Sequence, residues 1–337
     1  MNLRRLLDDG RPIFGTDGVR GEAGSELTAE LAMEIGQAAG SYLRGGPVVV
    51  GQDTRRSSSM LSGALQAGFQ SAGIDTIDVG VLPSGGISYL TSTSSATMGA
   101  IVSASHNPAE DNGIKLLAAR GTKLPEDVER ELEDRMRASG RQVAVGSAIG
   151  YRTSSPESYQ QYLDHLIVSS RYALNGLELA LDCANGSAYR AAPELFERLG
   201  ADALVFHAEP NGTNINLDCG ATSPAFLAEH AEGRIGFAFD GDADRLIVVD
   251  EDGKVANGDV IMAIVARHLK DQGRLTKDMV VATVMSNLGF RKSMDEAGIA
   301  IVETPVGDRH VMDALIEHGA LLGGEQSGHV IFSDIAQ

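Results

Sequence analysis

Residues 235–249 read Ile-Gly-Phe-Ala-Phe, then Asp-Gly-Asp-Ala-Asp-Arg, then Leu-Ile-Val-Val. Two apolar runs flank a loop that carries a carboxylate at every second position. What the flanks are decides the fold class. A calcium loop between helices would place Asp240, Asp242, Asp244 and Glu251 at positions 1, 3, 5 and 12, but it needs glycine at position 6, where this chain has Arg245. The flanks are also short, aliphatic and aromatic, so they read as strands. Three like charges on one short loop raise one another's pKa unless a cation neutralises them. Oxygen-only ligands select Mg²⁺ or Ca²⁺ over zinc. A solvated acidic turn is the plainer alternative, and apolar flanks of this kind argue against it. Mg²⁺ keeps positions open for water or a phosphate oxygen, so a phosphate donor is expected nearby.

Outward from this loop, similar short runs recur at Pro47–Val50, Gly99–Val102, Glu178–Leu181, Met279–Val284 and Ile299–Val302. Segments of helical period lie between them, which is the pattern of βα units, an α/β chain with a largely parallel sheet. Thr28 reads as the N-cap of a helix running to about Tyr42. Pro125, Glu126 and Asp127 open a helix that Arg135, Arg137 and Gly140 close, with Val128, Leu132 and Met136 on its apolar face. Tyr159, Tyr162, Leu163, Leu166 and Ile167 mark another. The Gly/Ser-rich segment Gly140–Ser155 is a first domain boundary, and the turn at Asp252-Gly253, before a helix that starts by about Gly258, is a second. Strand, glycine-bearing loop and helix recur in each third, too loosely to call a repeat.

A second loop carries chemistry. Gly99-Ala100-Ile101-Val102 runs into Ser103-Ala104-Ser105-His106-Asn107-Pro108, and loops at the carboxyl ends of strands are where open α/β sheets bind ligands. Ser105 reads equally as a hydrolase nucleophile, though without the G-x-S-x-G elbow, or as a phosphate carrier, which needs cationic neighbours and a metal more than a Ser-His-Asp relay. His106 alone reads as a loop hydrogen bonder. Asn112-Gly113-Ile114-Lys115 reads as a turn carrying a lysine just downstream of the serine. By themselves Arg20 and Glu325 would be exposed turn residues, and His329 would be either a ligand or a core histidine.

Composition narrows the partners. At 337 residues the chain needs more than one core, and 43% hydrophobic with 22% charged residues excludes a disordered or coiled-coil chain. Lys plus Arg number 28 against 46 Asp plus Glu, a net −18 that repels nucleic acid and anionic membranes, so an anionic ligand needs a local basic pocket. Cys183 and Cys219 have no metal-ligand spacing and no disulfide density, which fits a cytoplasmic setting. After Arg4 and Arg5 only Leu6 and Leu7 precede Asp8, too short for a secretory signal, and no apolar stretch approaches a membrane span.

Together these motifs resemble the bacterial phosphoglucosamine mutase family, a branch of the α-D-phosphohexomutase superfamily. Phe14-Gly15-Thr16-Asp17-Gly18-Val19-Arg20-Gly21 is similar to its amino-terminal signature, Ser105–Pro108 to its phosphoserine loop, and Asp240–Arg245 to its metal loop. Gly324-Glu325-Gln326-Ser327-Gly328-His329 is similar to its sugar loop. The segments 211–216, 283–287 and 304–309 resemble the glucosamine branch more than the mannose or glucose branches.

The resemblance implies three consecutive α/β domains of similar topology, with mixed, largely parallel sheets between helices, at residues 1–152, 153–255 and 256–337. It implies that Ser105 is a phosphoserine whose oxygen joins Asp240, Asp242 and Asp244 around one Mg²⁺ per subunit. Arg20 and Arg245 would steady the phosphoserine, and Lys115 and His329 would move protons. Glu325, Ser327, His329 and Arg309 would hold the sugar phosphate. The implied activity interconverts glucosamine 6-phosphate and glucosamine 1-phosphate through a hexosamine 1,6-bisphosphate, feeding UDP-N-acetylglucosamine and peptidoglycan precursors. The alternatives are phosphomannomutase or phosphoglucomutase activity, or a weakly catalytic chain that only binds metal or a partner. A homodimer is compatible with the family.

Family members continue into a fourth, phosphate-gripping domain, whereas this sequence ends at Gln337 with its third domain cut short. The expectation is therefore a chain that binds Mg²⁺ and turns over poorly, because a remote phosphate orients the sugar.

Overall fold

The computed structural model describes residues 3–138 and 143–333; Gly140, which opens the expected linker, and Gln337 lie outside the described residues. Strands β1 (Val19–Glu22), β2 (Val48–Gln52), β3 (Thr76–Val81), β4 (Met98–Val102), β5 (Asp111–Ala118) and β6 (Arg152–Ser154) form one sheet in the order β1-β5-β4-β2-β3-β6. A second sheet, ordered β11-β10-β9-β7-β8, contains β7 (Glu178–Asp182), β8 (Asp202–Phe206), β9 (Ile235–Phe239), β10 (Leu246–Val249) and β11 (Val255–Ala256). The third, ordered β13-β12-β14-β15, is built from β12 (Met279–Thr283), β13 (Ala300–Thr304), β14 (Leu322–Gly324) and β15 (Val330–Phe332). The α/β class and the mixed, largely parallel sheets are as the sequence implies.

All three sheets share one kernel. A central strand has a parallel neighbour on each side, and the last strand returns antiparallel as a hairpin: β3-β2-β4-β5, β8-β7-β9-β10 and β13-β12-β14-β15. The recurrence that was too loose in sequence is thus a repeat of topology. Its hairpin loops are the serine loop, the acidic loop and the loop that ends in His329.

The largest core lies under the helices Ala29–Tyr42, Ser58–Ser71 and Glu126–Arg137, where Leu31, Ile35, Leu65, Phe69 and Leu132 pack with Val48 and Val50. Burying such side chains stabilises the fold by about 1.5–3 kcal/mol each. The first two helices touch through glycine: a Cβ on Gly36 would lie 2.2 Å from the Leu65 carbonyl oxygen, and one on Gly68 2.2 Å from that of Met33. Thr28 caps its helix by accepting the Leu31 N–H at 3.2 Å.

Two local expectations are corrected. Asn112–Lys115 is not a turn but the first half of β5, because its apolar Ile114, Leu116 and Leu117 are buried between β1 and β4. Gly113 is there for close approach, since a Cβ would meet the Ser103 carbonyl oxygen at 2.6 Å. Arg20 likewise lies on β1, paired with β5, rather than in a free loop. No helix among the described residues is long and apolar enough to cross a membrane.

Candidate active site

Ser105 follows β4 in the loop to β5, with its backbone in the left-handed region at φ 52° and its side chain buried. Surrounding groups over-determine that strained backbone. Its N–H donates to Ser103 Oγ at 2.9 Å, and its carbonyl accepts from Arg55 Nη2 at 3.2 Å and Asn216 Nδ2 at 2.9 Å. The same two side chains hold the Asn107 carbonyl, at 2.6 and 3.1 Å. Arg55 is paired with Asp53, both fully buried, and Asp53 also accepts from Ser58 Oγ at 2.5 Å and Ser103 Oγ at 2.7 Å.

The acidic loop meets this turn head-on. Ser105 Oγ donates to Asp240 Oδ2 at 2.5 Å and lies 3.5 Å from Asp244 Oδ1, across 135 and 139 residues of chain. Oxygens of Asp240, Asp242 and Asp244 all lie within 4.8 Å of one another. Glycine permits the contact, because a Cβ on Gly241 would stand 2.5 Å from the Ser105 carbonyl oxygen and 2.8 Å from Asn216 Nδ2.

Charge in the trio is unevenly balanced. Burial, with Asp244 and Asp242 alongside, pushes Asp240 well above the carboxylate range. Burial also acts on Asp244, but Lys115, His329 and Arg245 hold it well below that range. Asp242 Oδ2 accepts from Ser84 Oγ at 2.8 Å and Lys115 Nζ at 3.0 Å, while its Oδ1 is buried without a partner. A raised carboxyl, an unpartnered carboxylate oxygen and three hard donors fit a divalent cation of the Mg²⁺ type.

Lys115, buried on β5, also reaches Asp244 Oδ2 at 3.4 Å. Burial disfavours its charge, but Asp242 and Asp244 outweigh that and raise its pKa, so it stays an ammonium. His329 Nδ1 lies 3.9 Å from Asp244 Oδ1; burial lowers its pKa, and Asp244 more than offsets this, so the net shift is upward. Arg245 Nε is 4.0 Å from Asp244 Oδ1. Arg20 donates to Asn107 Oδ1 at 3.3 Å, pairs with Asp17 at 3.2 Å, and buries Nε without a partner. His106 Nδ1 is 3.4 Å from the hydroxyl, and burial lowers its pKa.

Of the residues singled out in sequence, Ser105, the three aspartates, Lys115, Arg245 and His329 converge, and Arg20 is joined through Asn107. Three others do not reach this centre. Glu325 accepts the Gly307 N–H at 2.9 Å, and Ser327 is exposed. Arg309 pairs with Glu129 at 2.9 Å and Glu126 at 3.5 Å, tying the third unit to the first. A cleft of about 620 Å³ opens beside Lys115, Asp244 and His329, with Lys123 and Arg309 in its wall.

Asp53, Arg55 and Ser84 escaped the sequence reading, and Asn216 entered it only within the segment 211–216, with no role at the serine loop. Asp53 and Arg55 directly follow β2, so the rule that singled out Ser105, a loop at a strand's carboxyl end, would have found them too. Ser84 stands just as close to the carboxyl end of β3, a strand the sequence reading did not mark, and its partner is 158 residues away.

Sequence models of phosphoglucomutase/phosphomannomutase alpha/beta/alpha domains I, II and III match residues 11–142, 157–253 and 257–337. The phosphoglucosamine mutase of Symbiobacterium thermophilum is 48% identical over 335 residues, 96% of this chain and 75% of that protein. That of Alkaliphilus oremlandii is 46% identical over 334 residues, with 96% and 74% covered. Among solved structures, a phosphoglucomutase/phosphomannomutase family protein from Burkholderia thailandensis superposes with TM-score 0.85 at 30% identity, covering 96% of this chain and 72% of its own. The fold also matches an Aspergillus fumigatus N-acetylphosphoglucosamine mutase, solved with GlcNAc-6P and magnesium, at TM-score 0.63 and 18% identity over 98% of this chain and 71% of that one.

Proposed function

Because the chain belongs to the phosphoglucomutase/phosphomannomutase family, we propose that Ser105 is the phosphoryl carrier of a phosphoglucosamine mutase, which interconverts glucosamine 6-phosphate and glucosamine 1-phosphate. The observation that carries this reading is the 2.5 Å bond from Ser105 Oγ to Asp240, inside the acidic trio. Asp240, Asp242 and Asp244, with an oxygen of phosphorylated Ser105, would hold one Mg²⁺. When bound, the ion neutralises charge on the transferring phosphoryl group.

In the forward half-reaction the P–O bond to Ser105 Oγ breaks and one to sugar O1 forms, giving the 1,6-bisphosphate. After the sugar turns over, its 6-phosphoryl group returns to Ser105. Arg20 and Arg245 steady the phosphoserine as its charge redistributes. Lys115 and His329, both favoured in their protonated forms, donate to the oxygen that leaves and recover the proton from the oxygen that attacks. Phosphoryl transfer is mostly positioning and charge stabilisation, so this chemistry needs no stronger nucleophile. Glu325, Ser327, His329 and Arg309 are assigned to the sugar phosphate. The thiols of Cys183 and Cys219 are free, compatible with the reducing cytoplasm assigned to the reaction.

A side-by-side assay with glucosamine, mannose and glucose phosphates, in Mg²⁺ with bisphosphate activator, tests the reading. The amino sugar should give the highest kcat/KM, and Ser105→Ala should abolish turnover. Equal or higher kcat/KM on mannose or glucose phosphates would move the assignment to the sister activity, and turnover by Ser105→Ala would remove the carrier.

A further inference from the structure

Among the described residues a second group brings metal-ligating atoms together: those of Asp182, His207 and Cys219 lie within 4.8 Å of one another. We propose that these three form a site for Zn²⁺ or a cation of the same class, separate from the oxygen-only trio. Their donor set is one carboxylate, one imidazole and one thiol, which suits a borderline cation and disfavours Mg²⁺. Three protein ligands leave a fourth tetrahedral position for water.

The ligands are already oriented. Asp182, fully buried at the end of β7, accepts N–H groups of Ala184 at 3.0 Å and Gly220 at 2.8 Å. Such outer bonds fix the direction of a ligating carboxylate. His207 Nδ1 lies 3.1 Å from Asp182 Oδ1, and its ring is held edge-on against Phe226 at 4.5 Å between centroids. One quarter of the His207 side chain is exposed, which provides an entry path, while Cys219 is buried. Tetrahedral zinc with its usual bond lengths sets ligand atoms about 3.5 Å apart, so side-chain movement of about 1 Å completes the shell. Binding releases the Cys219 proton to solvent as the thiolate takes the metal.

The position has a consequence for the chain between the ligands. His207 and Cys219 bracket segment 208–218, which carries Asn216, the side chain that donates to the Ser105 and Asn107 carbonyls. A cation there would fasten both ends of this segment to β7.

Titration of the full chain with Co²⁺ in excess Mg²⁺ tests the proposal. We expect one cobalt per chain with a near-ultraviolet thiolate charge-transfer band, displaced by Zn²⁺, abolished in Cys219→Ser and retained in Cys183→Ser. His207→Ala should weaken cobalt binding by about tenfold or more. Amide exchange across 208–218 should slow on metal addition. A missing band, a band that survives Cys219→Ser, or one that vanishes in Cys183→Ser would overturn the site. Circular dichroism of the metal-free variants checks folding; if Cys219→Ser fails to fold, unchanged cobalt affinity in His207→Ala decides against the proposal.

Discussion

Lys115 is where the charges of the site compete. Its ammonium sits 3.0 Å from Asp242 and 3.4 Å from Asp244, in place of part of the charge a divalent ion would bring. Lys115→Met should therefore lower kcat by about 10²–10⁴ as a proton donor is lost. It should also tighten Mg²⁺ binding, because a competing cation is gone; calorimetry showing weaker Mg²⁺ binding would contradict this. His329 gives a pH signature in chelator-treated protein. Its native pKa is raised above 6.5, so its contribution to stability is complete below that value and fades as pH rises through the native one. Urea unfolding across neutral pH should show this decline, and His329→Gln should flatten it. At this scale the acidic trio and Ser105 were legible because their residue types are unusual between apolar runs. For Asp53 and Arg55 only their place after β2 was legible; that they form a buried ion pair bracing a backbone turn was not, since in sequence the pair looks like any two solvated charges.

Glycine at 241 lets the acidic loop touch the serine loop, so the close approach of two hairpin loops rests on a missing side chain. Gly241→Ala should cut kcat by about 10²-fold through displacement of the reacting oxygen. Far-ultraviolet circular dichroism should stay unchanged, since the strands on either side keep their pairing; wild-type kcat in the variant would show that the contact is dispensable. Elements with strong local signals were readable: the helix capped by Thr28, the charged helix Glu126–Arg137, and the apolar runs of β9 and β10. β5 was misread because Asp111-Asn112-Gly113 carries turn chemistry, and only pairing with β1 and β4 makes it a strand. The short β14 and β15 left no run long enough to notice.

Across the whole molecule, three copies of one kernel aim their hairpin loops at a common centre, and side chains from different units close it. Ser84 and Lys115 of the first unit reach Asp242 of the second, and His329 of the third stands beside Asp244. Lys123 bridges Asp17 at 2.8 Å and Asp308 at 2.6 Å, next to the Arg309–Glu129 pair. Arg309→Met leaves Glu129 largely buried without its cation, and should cost about 1–3 kcal/mol in urea unfolding. An unchanged midpoint would mean that the units hold together without it. Motifs far apart in sequence announced such a centre, and the strands that flank the serine and acidic loops were readable, but the order of the strands within each sheet came only from topology. The most direct test is to incubate the chain with a hexose 1,6-bisphosphate and Mg²⁺, then map the products by tandem mass spectrometry. One phosphoryl group on Ser105, absent without Mg²⁺, is the predicted result; phosphate on a different residue, or an unmodified Ser105, would contradict the account.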